Sequence, residues 1–381
     1  MSADSMIMAP SLQLHSPMEF QIYRQLEPDT KINDLPVFEE SSIRKICKLG
    51  SGCHHDVYLV STQSRQQLAL KCLSQSTVPN QELSADLTSD LMMEAQILAG
   101  LDHENIIKVR GVSCDPVESG MTGSGYFFLM DVLSESLFDR VQRWSKDESC
   151  FNGIKSSILG KRMRKLDPKK MMSRMETVAI GVAQGMAYLH NKGVVLQDLK
   201  PANIGFDIET GQARIFDFGM ARHALDLSMN KTAEICGTPR YMAPEIMKGE
   251  TPTKASDVYS FGCVLYTLCS LKVPFRSFAA KENELEEFKA MVIAGERPSL
   301  KCIPCPLVRS LIRDCWAQDS LDRPTFNEIV EERLPDIRTE WRNNRHKKKS
   351  IKRTNSGSLN DSLHSLFRSD SGITISVKSS L

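Results

Sequence analysis

Three stretches in the first quarter of the chain alternate apolar and polar residues as short strands do. They run from Ile43 to Leu49, from Asp56 to Thr62 and from Gln67 to Leu73. Residues at helical spacing follow, namely Leu87, Leu91, Glu94, Ile97 and Leu98. This pattern predicts a small antiparallel sheet with one helix.

Beyond this region the pattern becomes mainly helical. An apolar strand, Tyr126 to Met130, is followed by amphipathic stretches at 171–191, 256–270, 283–294, 308–316 and 324–334. We therefore predict an α+β fold, with a small sheet lobe at about 41–131 and a larger helical lobe at about 134–335.

Three segments lack such patterning. Residues 1–40 show no periodicity, so we expect a disordered leader. Residues 143–170 are polar, which indicates an insertion, and the basic cluster at its end is either a solvated loop or a docking surface for acidic partners. Residues 341–381 are first basic and then serine-rich, so we expect a disordered tail.

Charge and hydropathy argue against several classes of function. Forty-eight basic and 47 acidic residues give a net charge of +1, and no aromatic residues are interleaved with the basic segments, so we expect no nucleic-acid partner. There is no apolar run of about 18 residues, so we expect no membrane span and a cytoplasmic location. The basic run Arg345 to Lys349 suggests nuclear import machinery as a partner, with a merely solvated tail as the alternative.

Two features in the predicted sheet suit a phosphate ligand. Gly50 and Gly52 lie in a turn between two strands, where backbone N–H groups can approach phosphate because glycine has no Cβ. Lys71 lies within an apolar strand, where its ammonium needs an anion. Glu94, on the following helix, is the natural counter-ion. Each feature alone has an ordinary structural explanation.

The polar residues between Val195 and Gly219 carry the chemistry. Asp198 supplies a carboxylate that can orient a hydroxyl and accept its proton. Lys200 can offset charge on a transferring phosphoryl group. Asn203 and Asp217 offer the oxygen ligands that Mg²⁺ prefers.

The order of these motifs resembles the eukaryotic protein kinase family from about Leu49 to Leu334. It comprises Gly-x-Gly, Ala-x-Lys, a helix Glu, Asp-x-Lys-Pro-x-x-Asn, Asp-Phe-Gly and Ala243-Pro244-Glu245. The resemblance implies a bilobal kinase fold with ATP and Mg²⁺ as cofactors and protein serine or threonine hydroxyls as substrates. It also assigns a nucleotide pocket to Gly50, Gly52, Val57, Ala69, Lys71, Glu94, Met130, Asp131 and Leu133.

Other motifs narrow the group. Asp198–Pro201 and Gly237–Tyr241 resemble serine/threonine kinases, whereas Ser256–Gly262 and Arg323–Phe326 resemble their tyrosine-kinase-like group. The resemblance further implies that Thr238 lies beside Asp198 and Lys200. It also implies that Arg323 pairs with Glu245 and that Asp257 anchors the catalytic loop.

The chain departs from the family pattern at three positions. His55 replaces the usual third loop glycine, and Leu196 and Gln197 replace the His-Arg pair before the catalytic aspartate. Glutamine cannot pair with phosphate as arginine does, so we hypothesise that phosphorylation at Ser228 or Thr232 does not switch the enzyme through that pair. The alternative is that another cation, such as Arg222, takes over. A pseudokinase scaffold is the rival function.

Overall fold

The computed structural model describes residues 31–74, 81–113, 125–156, 166–229, 237–276, 278 and 284–344. The chain divides into two compact units, 1–331 and 332–381. In the second unit, residues 334–344 are helical. The elements discussed below belong to the first unit, except that the π-helical turn Ile329–Arg333 ends two residues into the second.

A six-stranded sheet forms the first lobe. Its strands are β1 Val37–Phe38, β2 Ile43–Ser51, β3 His55–Thr62, β4 Gln67–Leu73, β5 Val109–Ser113 and β6 Phe127–Met130, in the order β1-β5-β6-β4-β3-β2. Helix α1, Gln81–Ala99, packs against β4 and β5. One face of the sheet buries an apolar cluster that consists of Val60, Leu68, Leu70, Phe127 and Leu129. The predicted small antiparallel sheet with one helix is confirmed.

Part of the predicted disordered leader is structured. Residues 31–40, assigned to a disordered leader, include a 3₁₀ turn at Lys31–Asp34 and strand β1, which pairs in parallel with β5. Phe38 packs onto the apolar cluster, and any side chain at Gly111 would collide with its ring. Residues 1–30 lie outside the described residues.

The second lobe is mainly helical, as predicted. Its helices are α2 Leu137–Ser156, α3 Pro168–Arg174, α4 Ile180–Asn191, α5 Ala224–Met229, α6 Pro244–Met247, α7 Lys254–Ser270, α8 Leu285–Ile293, α9 Pro306–Cys315 and α10 Phe326–Glu328. Its strands are β7 Leu133–Ser136, β8 Val194–Val195, β9 Ile204–Asp207, β10 Ala213–Ile215 and β11 Arg222–His223. π-Helical turns at Met175–Ala179 and Ile329–Arg333 continue α3 into α4 and extend α10. Among the described residues, no helix is both long and apolar enough to cross a membrane.

The first part of the predicted insertion, residues 143–156, is helical. Helix α2 covers it as far as Ser156 and buries Leu137 and Val141, which are four residues apart on one face. Glu148 pairs with Arg174 of α3 at 2.9 Å, with side chains 11% and 5% exposed, so the polar residues here include a buried tie between helices. Residues 157–165 of the basic cluster lie outside the described residues.

Helix α7 is the central buried element of this lobe. A capping box between Thr253 and Ser256 begins it, and its next residue, Asp257, is fully buried. The helix ends at Leu271, whose φ of 56° is left-handed. This placement brings the Asp257 carboxylate beneath the loop that follows β8.

Candidate active site

Lys71 connects three elements at the boundary of the two lobes. Its Nζ donates to both Glu94 oxygens, at 2.8 and 2.7 Å, and to Asp217 Oδ1 at 2.9 Å. The backbone N–H of Phe218 donates to Glu94 Oε1 at 3.1 Å. Burial would lower the pKa of Lys71, but Asp217 and Glu94 outweigh it and raise that pKa. Lys71 in turn lowers the pKa of Asp217.

The register of the sheet explains why the predicted nucleotide residues meet. Val57 on β3 lies opposite both Lys71 on β4 and Gly50 on β2. Ala69, two residues before Lys71 and so on the same face, lies opposite Met130. The Gly52 N–H closes the turn by donating to the His55 carbonyl at 2.7 Å.

The predicted hinge, Asp131 to Leu133, joins β6 to β7. The carboxylate of Asp131 pairs with Arg110 of β5 and with Arg214 of β10, each at 2.6 Å. Arg214 also reaches Asp207 at 2.9 Å. These two arginines could not be predicted from the sequence, because nothing in their local pattern distinguishes them from solvated charges. They hold the hinge from both lobes.

Asp257 anchors the catalytic loop, which follows β8 and contains Asp198. The Asp257 carboxylate accepts hydrogen bonds from the backbone N–H groups of Leu196 and Gln197, both at 2.8 Å, and lies 2.9 Å from His190 Nε2. Gln197 has a left-handed φ of 68°, and its side-chain amide donates to the Met220 carbonyl at 2.7 Å. The departure at 197 therefore ties the catalytic loop to the segment after Asp-Phe-Gly.

Asp198 lies at the centre of the four predicted catalytic residues. The Thr238 hydroxyl donates to its Oδ1 at 3.0 Å, and Lys200 Nζ lies 2.7 Å from its Oδ2 and 2.8 Å from Thr238 Oγ1. The amide of Asn203 donates to its carbonyl and to Oδ2, at 3.0 and 3.1 Å. Burial raises the pKa of Asp198, and the Lys200 ammonium opposes the increase.

The predicted metal ligands offer suitable oxygen atoms. Asn203 directs its amide nitrogen to Asp198, which leaves its oxygen available, and Asp217 has a carboxylate that is 37% exposed. Hard oxygen donors of this kind fit Mg²⁺, which keeps water and phosphate oxygens as further ligands. Within the described residues, no cluster of three or more His, Cys, Asp and Glu side chains could hold a metal by itself.

His55 lies close to the phosphate end of this site. Burial, helped by the nearby Lys71 ammonium, lowers the pKa of His55 to about 4, so the ring is neutral at neutral pH. Its Nε2 is buried and has no hydrogen-bond partner among the described residues.

The Arg323–Glu245 pair that the resemblance implied is present. The guanidinium donates to the two Glu245 oxygens at 2.5 and 2.8 Å and to the Ala255 carbonyl at 2.9 Å. Because Arg323 also contacts Ala255, this pair secures Glu245, which follows Thr238 in the same segment, to helix α7.

The fold has two lobes, and at their boundary Lys71 binds both the buried Glu94 and Asp217. This is the architecture of a nucleotide-dependent phosphotransferase. Comparison with known families agrees, because the protein kinase domain family matches residues 43–334. The chain belongs to the protein kinase family, and the bilobal kinase fold is confirmed.

Curated relatives point to the serine/threonine type. A probable serine/threonine-protein kinase of Dictyostelium discoideum is 38% identical over 62% of this chain and 14% of its own length. The Arabidopsis thaliana serine/threonine-protein kinase STY46 is 28% identical over 75% of this chain and 42% of its own. The Arabidopsis serine/threonine/tyrosine-protein kinase HT1 is 28% identical over 74% and 63%. The resemblance to the tyrosine-kinase-like group is thereby confirmed, and the chain spans less than two thirds of each relative.

Proposed function

We propose that this chain is an ATP-dependent serine/threonine protein kinase that transfers the γ-phosphoryl group of Mg-ATP to protein hydroxyls. The observation that carries the proposal is the assembled site. Asp198 contacts Lys200, Asn203 and Thr238, while the Lys71–Glu94 pair is closed. An assembled set of transfer residues is what phosphoryl transfer requires, since its catalysis is mostly positioning and electrostatics.

The proposal assigns each residue a role that its contacts support. Lys71, held by Glu94, is placed to position the α- and β-phosphates. Asn203 and Asp217 would hold Mg²⁺, which neutralises charge on the triphosphate when it is bound. Asp198 accepts the proton of the incoming hydroxyl.

Lys200 and Thr238 act together on the negative charge of the phosphoryl group during its transfer. Lys200 offsets that charge, and its bond to Thr238 fixes its direction relative to Asp198. Burial of Asp198 keeps its carboxylate basic enough to take a proton.

A pseudokinase scaffold is the second candidate, and His55 is the observation that favours it. The ring lies near Lys71, in the neighbourhood that the phosphates need. A side chain fixed there would exclude ATP, whereas one displaced by ATP would only weaken its binding.

The deciding experiment measures transfer of labelled γ-phosphate from Mg-ATP to serine, threonine and tyrosine peptide libraries. We expect the wild type and an Asp322→Asn surface control to phosphorylate serine and threonine peptides, and Asp198→Ala to be inactive. Folded wild type that transfers nothing, or as little as Asp198→Ala, would support the scaffold instead.

Independence from activation-segment phosphorylation belongs to the same proposal. Gln197 donates to the Met220 carbonyl and carries no charge for a phosphate. We expect Ser228→Ala/Thr232→Ala to keep most of the wild-type rate, and loss of nearly all activity would contradict this. Ser228 lies in helix α5, and Thr232 lies outside the described residues.

Cytoplasmic localisation, with nuclear import through the basic tail as the alternative, is part of the proposal. The tail's basic run lies outside the described residues, so support comes from its sequence alone. Replacing Arg345 to Lys349 with glutamines in a fluorescently tagged chain should leave a cytoplasmic signal unchanged and should abolish a nuclear one.

A further inference from the structure

Arg222 is held on two sides, by its own segment and by helix α1. It begins β11 and lies opposite Val195, just before the catalytic loop. Its Nη1 donates to the carbonyls of Gly219 and Ala221, at 3.1 and 2.9 Å. Its Nη2 reaches Asp90 Oδ1 at 3.1 Å.

Asp90 lies one helical turn before Glu94 on α1. Residues four apart share a helix face, so α1 presents both carboxylates in the same direction. Asp90 meets Arg222, while Glu94 meets Lys71 and the N–H of Phe218. Helix α1 is therefore fastened to the segment 217–222 at two successive turns.

The backbone of that segment is fixed by side chains at three consecutive carbonyls. Arg222 occupies those of Gly219 and Ala221, and Gln197 occupies that of Met220 between them. The backbone of residues 219–221 is therefore held in one conformation without a phosphate group on the activation segment. The Arg222 guanidinium already has an anion, which is supplied by the chain itself.

We propose that the Arg222–Asp90 ion pair holds helix α1 in the position where Glu94 contacts Lys71, and we call this pair the latch. It takes the place of a phosphate group attached to the activation segment. Arg222 and Asp90 are thus positioning residues for the transfer reaction, an inference that rests on the proposed kinase function. The same arrangement disfavours a phosphoryl group at this spot, since Asp90 would repel it.

The test uses the full chain after phosphatase treatment. Asp90→Asn removes the charge without changing the shape, and Asp86→Asn makes the same change one turn earlier, at a residue with no ion pair among the described residues. The latch side chains are 28% and 34% exposed, so the effect should be moderate and should shrink at high salt.

We expect Asp90→Asn to lower kcat/KM for ATP about five-fold, the upper range for a partly exposed ion pair. Asp90→Glu should restore most of the loss. Asp90→Asn combined with Arg222→Gln should be no worse than Arg222→Gln alone, because both remove the same interaction. Losses that multiply, or no rescue by glutamate, would overturn the latch.

Amide hydrogen exchange in residues 91–99 separates this inference from the proposed function, since it needs no transfer. Asp90→Asn should speed exchange there about five-fold, and Asp86→Asn should not. If no variant transfers phosphate but this difference appears, the latch stands and the kinase proposal fails. If the wild type transfers phosphate but the two variants behave alike in both assays, the latch is wrong.

Discussion

Replacing Asp257 with asparagine should damage both stability and catalysis, because one buried carboxylate supports the whole catalytic loop. It is fully buried and accepts from two backbone N–H groups at 2.8 Å, those of Leu196 and Gln197. Asparagine keeps one oxygen but turns an NH₂ group toward the second N–H. One charge-assisted bond is lost and one donor is left unsatisfied.

The size of the effect follows from these two changes. Losing a hydrogen bond to a charged acceptor and stranding a buried donor together cost about 2–4 kcal/mol. Gln197 also holds a left-handed φ of 68°, a strain of about 1 kcal/mol that the Asp257 bond maintains. Relaxation of this residue would move Asp198, and a displacement of about 1 Å can cost about a hundred-fold in rate.

Urea denaturation and peptide phosphorylation measure the two consequences separately. We expect Asp257→Asn to lower the free energy of unfolding by about 3 kcal/mol and kcat by about a hundred-fold, and the exposed Asp322→Asn to change neither. An Asp257→Asn protein with wild-type stability and rate would refute the argument that this carboxylate holds the loop.

Three further predictions concern other charged groups. Burial raises the pKa of Asp198 and Lys200 opposes it, so activity should fall as pH drops through that pKa, and Lys200→Met should move this acid limb to higher pH; an unmoved limb in the pH–rate profile would contradict it. Arg323→Gln strands the mostly buried Glu245 and should destabilise the protein by about 3–5 kcal/mol in urea denaturation. Asp131→Asn weakens the hinge pairs and should raise KM for ATP more than it lowers kcat, as steady-state kinetics would show.

The amino-acid sequence by itself determined the family, the α+β organisation and the candidate site residues. This is possible because phosphoryl transfer demands particular side chains, and the strands and turns of the fold keep them at readable intervals. Asp198, Asn203 and Asp217 are near one another in the chain, and Lys71 stands out as a charge within an apolar strand. Their roles as assigned stay predictions.

Only the tertiary structure determined those elements whose stabilising contacts come from residues distant in the sequence. Strand β1 is two residues long, too short for a pattern, and exists because Phe38 packs over Gly111. The second half of helix α2 has few apolar residues, so the sequence indicated an insertion there, whereas the structure ties this half to α3 through the ion pair of Glu148 with Arg174.

The connections within the site are of the same kind. Asp257 meets the catalytic loop from 60 residues away, and Asp90 meets Arg222 across 132. The local sequence around a charged residue does not show whether its side chain is solvated or paired, because the partner is brought to it by the packing of distant segments. The residue types that chemistry requires could therefore be predicted, whereas the contacts that hold them in place depend on how the lobes fold.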